Sequence, residues 1–183
     1  MSKVCCFLAD GCEEVEALSV VDILRRGGIE TVLVSVMGRK EIVSSHNIHI
    51  IADELIEDID FDKVDMIFLP GGIPGTPNLK SNELLCSKIK EFNDKNKLLA
   101  AVCAAPSIYG ELGILKGKKA TCYPSFEDKL EGAVYVPDRV VTDGNITTSR
   151  GLGTSLELGL RLLEIFTDKE NADTMARKVQ FIC

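Results

Sequence analysis

The fold is decided by the stretch Leu98-Leu99-Ala100-Ala101-Val102-Cys103-Ala104-Ala105-Pro106. Its first five residues are an apolar run of strand length that stops at a cysteine, and small residues and a proline then favour the start of a helix. The pattern predicts a sharp strand-to-helix turn that presents the Cys103 thiol. Backbone NH groups and the dipole of the following helix would favour the nucleophilic thiolate. The alternative is a structural cysteine at a strand end, because free cysteine is often buried.

Strand and helix patterns alternate over residues 1–183, which we predict to form a single domain. Residues 4–9 are a continuous apolar run, as in a strand buried on both faces, residues 64–69 predict a further buried strand, and residues 31–36 are rich in β-branched side chains. Helical spacing returns in residues 81–95, and residues 41–51 predict a short hairpin. This order predicts an α/β fold, a mostly parallel sheet with helices on both faces.

Two predicted helices carry apolar residues over a wide arc. In the helix over residues 13–26, spacing assigns to the core Val15, Leu18, Val21 and Leu24. A second arc, Ala17, Val20 and Ile23, would then face the same helix of a second copy, which predicts a homodimer. The alternative is that the hairpin at 41–51 covers this arc. In the helix opened by residues 151–155, the predicted apolar face consists of Leu156, Leu160, Leu163 and Ile165.

Three loops, residues 10–16, 70–77 and 103–106, follow the carboxyl ends of predicted strands. Ligands of parallel α/β sheets bind beyond those ends, so we expect the loops to share one rim. Glu16 lies one turn into the first helix and can point to this rim, where burial and a nearby thiolate would favour its protonated form. A protonated Glu16 could donate a hydrogen bond to sulfur and carry protons. For Glu13 and Glu14, complementation of the helix dipole is a sufficient explanation.

Two other segments of the sequence could bind an anion, but neither has a specific nucleotide-binding motif. Gly71-Gly72 follows a buried strand, so its backbone can approach a ligand closely, but a G-x-G-x-x-G or P-loop sequence is missing. Arg150 stands beside the helix start at residues 151–155, which could hold an anion or simply be capped by its own Thr154 or Ser155. We therefore expect no nucleotide cofactor.

Charge and composition exclude several classes of partner. The net charge of −7 and the absence of Trp argue against nucleic acid or an anionic membrane surface. The apolar run at residues 4–9 lacks a basic flank and is too short to cross a bilayer. Seven cysteines without a framework pattern indicate a reducing cytoplasm. With only His46 and His49, and no C-x-x-C pair, the sequence predicts no metal centre.

The ordered motifs resemble those of the DJ-one/ThiJ/PfpI superfamily and, within it, the DJ-one-like branch. The matching segments are Gly11-Cys12-Glu13-Glu14-Val15-Glu16, Asp22-Ile23-Leu24-Arg25-Arg26-Gly27-Gly28, Leu69-Pro70-Gly71-Gly72, Ala101-Val102-Cys103-Ala104-Ala105-Pro106, Asp143-Gly144-Asn145, Thr148-Ser149-Arg150-Gly151 and Gly153-Thr154-Ser155. The resemblance implies that Cys103 is the reactive cysteine and Glu16 its protonated partner, with Gly71, Gly72 and Ala104 as backbone donors around the sulfur. It also implies a flavodoxin-like sandwich, a homodimer, and activities that include glyoxalase III chemistry, deglycation, redox sensing and chaperoning.

Three positions depart from the family pattern. Ala104 stands where protease-like relatives have a histidine, so peptidase activity is not expected. Tyr123 stands where the DJ-one branch often has a pocket histidine, and a tyrosine is a poor base near neutral pH. His46 stands where some relatives have an arginine at the dimer contact. Tyr123 and His46 are therefore predicted only as possible pocket residues, and Arg150 is added to them because it stands beside the helix start at residues 151–155.

Two functions follow as hypotheses. The first is a glutathione-independent glyoxalase or deglycase that acts on methylglyoxal, glyoxal or glycated side chains through Cys103, with Glu16 as proton shuttle. The second is a redox-responsive, chaperone-like protein in which Cys103 is oxidised to a sulfinate. Cys12 and Cys122 are interpreted as small apolar filler, with a resolving thiol as the alternative for either.

Overall fold

The computed structural model describes residues 2–181. Its strands are β1 (Lys3–Leu8), β2 (Glu30–Ser35), β3 (Glu41–Val43), β4 (His49–Ile51), β5 (Glu54–Leu55), β6 (Met66–Leu69), β7 (Leu98–Val102), β8 (Lys119–Ala120), β9 (Val134–Tyr135), β10 (Val140–Asp143) and β11 (Ile146–Ser149). Its α-helices are α1 (Glu14–Arg26), α2 (Gly75–Ser81), α3 (Glu83–Asp94), α4 (Pro106–Glu111), α5 (Ser155–Phe166) and α6 (Lys169–Lys178).

Within residues 2–181, seven strands form a central sheet in the order β10-β11-β7-β6-β1-β2-β5. All neighbours are parallel except β10 and β11. Helices flank the sheet, which confirms the predicted flavodoxin-like α/β fold. Strands β1, β6 and β7 lie side by side, so the loops that follow them meet at one edge of the sheet.

Alternating side chains of the strands build one hydrophobic cluster on each face of the sheet. In β1, Cys5 and Phe7 belong to one cluster, while Val4, Cys6 and Leu8 belong to the other. Side chains of α3 and α4 pack in the first cluster, and side chains of α1 and α5 pack in the second. Burial on both faces explains why the central strands β1, β6 and β7 are apolar runs and do not alternate.

The predicted faces of α1 were partly wrong. Val15 and Leu18 are 42% and 39% exposed, whereas Ala17, Val20 and Ile23, predicted to face a second copy, are fully buried. The reason is α5, which packs along α1. A Cβ added at Gly159 of α5 would lie 3.0 Å from Ile23 Cβ. A helix from a distant part of the sequence therefore covers this arc.

Other predicted details also change. Leu156 of α5 is 40% exposed, while Leu158 and Leu162, left out of the predicted apolar face, are fully buried beside Leu160 and Leu163. Helix α2 begins within a segment predicted as a loop. The hairpin is confirmed: β3 and β4 pair antiparallel. Among residues 2–181, every helix is too short or too polar to cross a bilayer.

Candidate active site

Cys103 lies on the turn between β7 and α4, as predicted. Its φ of 64° is in the left-handed region, which is uncommon for a residue with a side chain. Two backbone bonds hold the turn: Cys103 NH donates to Ser149 O at 3.0 Å, and Tyr123 NH donates to Cys103 O at 2.8 Å. The thiol remains partly exposed at the rim of the sheet.

Glu16 reaches the same rim from the first turn of α1. Its side chain is buried, with 1% of the residue exposed, and its Oε2 accepts a hydrogen bond from Gly71 NH at 2.9 Å. Burial raises the pKa of Glu16 to about 7, although hydrogen bonds from Cys103, Gly71 and Leu152 oppose the shift. Near neutral pH this carboxyl can therefore either donate or accept a proton.

Cys103 and Glu16 form one coupled pair. Burial and the negative charge of Glu16 raise the pKa of the Cys103 thiol to about 12, while the NH groups of Ala104 and Gly72 act to lower it. Backbone donors alone thus do not hold the thiolate, contrary to the expectation from the turn. Two anions in contact are unfavourable, so the two groups are not ionised together near neutral pH, and a Cys103 thiolate requires the proton to be on Glu16.

The backbone donors divide between the two side chains. The NH groups of Gly72 and Ala104 act on the Cys103 sulfur, where they lower the pKa of the thiol. Gly71, predicted as a third donor to this centre, differs because its NH is already bonded to Glu16 Oε2. The Gly71 NH therefore holds the Glu16 carboxyl beside the Cys103 sulfur.

We expect Gly71→Ala to disrupt this contact. An added Cβ would lie 2.7 Å from Cys103 Cβ and 2.8 Å from Glu16 Oε2, closer than real contacts allow. Overpacking of this kind costs roughly 1–3 kcal/mol, which urea unfolding would detect as a lower midpoint. Gly153→Ala is the control, because nothing lies within 4 Å of its added Cβ. Equal midpoints for the two variants would show that the rim is loosely packed.

The predicted pocket residues divide into two places. Tyr123, 50% exposed, and Arg150 line an open depression of about 410 Å³ together with Gly151 and Leu152. This depression adjoins the pair, since a Cβ added at Gly151 would lie 3.8 Å from Glu16 Oε1. His46 lies on the loop between β3 and β4, where its Nδ1 is 3.0 Å from Glu14 Oε1.

The remaining cysteines separate by burial. Cys12 and Cys122 are fully buried, and burial raises the pKa of each thiol to about 12. Both properties agree with their interpretation as apolar filler. Cys86 on α3 is partly exposed, and Cys183 lies outside the described residues.

The sequence matches the DJ-1/PfpI family over residues 2–165. It is 42% identical over 172 residues to Protein DJ-1 homolog B of Arabidopsis thaliana, a match that covers 93% of this chain and 39% of that protein. It is 35% identical over 172 residues to Protein dj-1beta of Drosophila melanogaster, a match that covers 93% of this chain and 92% of that protein. The chain thus spans about two fifths of the plant relative and nearly all of the fly relative.

Among solved structures, the oxidized DJ-1 of Toxoplasma gondii superimposes with a TM-score of 0.96 at 33% identity and covers 100% of both chains. The crystal structure of Drosophila melanogaster DJ-1beta superimposes with a TM-score of 0.95 at 33% identity, again over 100% of both chains. The likeness therefore extends over the whole fold, including the rim that carries Cys103.

Proposed function

This chain belongs to the DJ-1/PfpI family, and from that premise we propose that it is a glutathione-independent glyoxalase or deglycase. Its substrates would be methylglyoxal, glyoxal or their adducts with protein side chains. The observation that carries the proposal is the Cys103–Glu16 pair, in which a nucleophilic sulfur lies beside a buried carboxyl whose pKa is raised to about 7. A small open rim beside the pair suits a small carbonyl substrate.

The reaction begins with the proton on Glu16 and the charge on Cys103. The thiolate adds to the aldehyde carbon, and the new oxygen takes the Glu16 proton, giving a hemithioacetal and a Glu16 carboxylate. That carboxylate removes the proton from C1, and the enediolate is reprotonated at C2 to give a thioester. Water hydrolyses the thioester to lactate or glycolate and restores the thiol. In this proposal the NH groups of Gly72 and Ala104 stabilise the oxyanion.

The test is a substrate panel with purified, metal-free protein and no glutathione. Methylglyoxal should yield lactate, and glyoxal should yield glycolate. Hemithioacetal or amine adducts of methylglyoxal on cysteine, lysine and arginine side chains are assayed in parallel to separate deglycation from glyoxalase activity. Lack of turnover on every member of the panel by folded, fully reduced protein would overturn the proposal.

A second candidate function is redox sensing, because the same pair suits an oxidised sulfur. A protonated Glu16 can donate a hydrogen bond to a Cys103 sulfinate, and the Toxoplasma relative is described as oxidized. We expect mild peroxide to add two oxygen atoms at Cys103, seen by intact mass and peptide mapping. A disulfide between Cys103 and Cys12 or Cys122 would instead make one of those buried thiols a resolving cysteine. Negligible aldehyde turnover beside the dioxygen product would favour sensing over catalysis.

We also propose a homodimer in a reducing cytoplasm, where a reactive thiol stays reduced. Proteins of the DJ-1 family are commonly homodimers. The exposed apolar residues of the two packed helices α1 and α5 supply a surface for it: Val15, Leu18 and Leu156, with Leu152 just before α5. This surface replaces the arc predicted from sequence, which α5 covers. A stable interface would bury roughly 1,200–2,000 Å².

Light scattering at micromolar concentration should give twice the monomer mass of 20.0 kDa. Leu18→Glu should shift the protein toward monomer, because it places a charge on the apolar surface of α1. Leu84→Glu is the control, since Leu84 on α3 is similarly exposed at 40% but lies outside that surface. A monomeric wild type, or a dimer insensitive to Leu18→Glu, would contradict the assignment.

A further inference from the structure

Two acidic side chains at the start of α1 are buried without a permanently charged partner. Glu13 and Glu14 are only 8% and 6% exposed. Within residues 2–181, the ion pairs of both involve His46 and neither involves Lys or Arg. Burial of two neighbouring carboxylates is costly unless positive charge compensates it. The helix dipole favours their charge, but it does not account for an imidazole converging on both.

One carboxylate oxygen of Glu13 and one of Glu14 face the same nitrogen, His46 Nδ1. Glu13 Oε2 accepts a hydrogen bond from Glu16 NH at 2.6 Å, which leaves Oε1 at 4.0 Å from His46 Nδ1. Glu14 Oε1 lies 3.0 Å from the same nitrogen. The three ligand atoms all lie within 4.8 Å of one another. Ligands about 2.0–2.2 Å from a tetrahedral zinc ion are about 3.3–3.6 Å apart, so small side-chain movements suffice.

The backbone holds His46 in this place. The loop between β3 and β4 is tied to the segment before α1 by the bond from Ser45 NH to Cys12 O at 2.8 Å. Ser44 Oγ accepts from Ile48 NH at 3.1 Å within the same loop. Asn47 takes a left-handed φ of 64° at the turn. In the single chain the imidazole is 67% exposed, so a cation and its water ligands can reach the cluster there.

We propose that Glu13, Glu14 and His46 bind one divalent transition-metal cation at this rim. Two carboxylate oxygens and one imidazole nitrogen are a ligand set suited to zinc, with the remaining position open to water. The site adjoins the Cys103–Glu16 pair through the hydrogen bond from Glu16 NH to Glu13, but no step of the proposed reaction uses the cation. Its ligands come from positions 13, 14 and 46, a spacing that no local metal motif would reveal.

Zinc is the probe for this site. The chain contains two histidines, so the ring signals in a heteronuclear NMR spectrum of reduced, full-length protein number two, and His46→Ala and His49→Ala assign them. His49 is the internal control, because it is similarly exposed but pairs with the single exposed carboxylate of Glu41. One equivalent of zinc should shift or broaden the His46 signals and leave those of His49 unchanged. Equal responses of both rings, or no response of His46, would overturn the proposal.

Ligand variants make the test specific. Glu14→Gln keeps the side-chain shape and should weaken the zinc response of His46 at least about tenfold. Glu41→Gln should leave that response unaltered. If Glu14→Gln does not fold, calorimetry provides the second readout: His46→Ala should lose one zinc equivalent that His49→Ala retains. Unchanged zinc affinity in Glu14→Gln, or unchanged stoichiometry in His46→Ala, would show that the cluster is an ion pair only.

Discussion

Cys103→Ala should reduce lactate formation from methylglyoxal by roughly 10³-fold or more, because it removes the atom that forms the covalent intermediate. The remaining groups, Glu16 and the NH donors of Gly72 and Ala104, can polarise a carbonyl but cannot provide the thioester. Enzymatic determination of lactate against time, with the uncatalysed rate subtracted, measures the loss.

Cys86→Ala is the matched control, since Cys86 is also partly exposed but lies on α3, away from the rim. It should retain the wild-type rate. Full lactate formation by Cys103→Ala would show that the covalent mechanism is wrong. Equal losses in the two variants would mean that the thiols matter for folding and not for chemistry.

Glu16→Gln should slow turnover without reducing the nucleophilicity of the Cys103 thiol. Glutamine keeps the shape and a hydrogen-bond donor but cannot move protons, so lactate formation should fall by about 10²–10⁴-fold. Removing the Glu16 charge also removes one cause of the raised pKa of Cys103. Alkylation of Cys103 by iodoacetamide at pH 7.5 should therefore be as fast as in wild type or faster. Asp22→Asn, on the exposed side of the same helix, should change neither rate.

The same variant should change how stability depends on pH. Burial raises the pKa of Glu16 from 4.5 to about 7, so the folded state keeps a proton that the unfolded state loses in this range. The stabilisation is complete below pH 4.5 and is lost as pH rises through about 7, by on the order of 3 kcal/mol. Urea midpoints of wild type should fall from pH 5 to pH 7.5 more than those of Glu16→Gln. Parallel midpoints would show that Glu16 is ionised throughout.

Much of the site could be predicted from local sequence. Cys103 follows an apolar strand and precedes a proline, and this local pattern predicts the turn on which it lies. The loops after β1, β6 and β7 meet because parallel neighbours in a sheet end at the same edge. Glu16 was placed at that edge by its position one turn into a helix. Each inference depends either on a local sequence pattern or on the general geometry of parallel sheets.

Pairings between distant segments could not be predicted in this way. Which face of α1 is buried depends on α5, which begins more than 100 residues later, so helical spacing alone assigned Val15 and Leu18 to the wrong side. The NH of Gly71 was predicted to act on the sulfur centre, yet the fold commits it to Glu16.

By itself, the sequence determined the α/β class, the turn that carries Cys103 and the carboxyl of Glu16 as its partner, because strand and helix periodicity and turn chemistry are local properties. Only the tertiary structure decided the proton balance of the pair, since the pKa of each group depends on burial and on the charge of the other. It also decided that His46 meets Glu13 and Glu14, because a loop about 30 residues away folds back onto the start of α1.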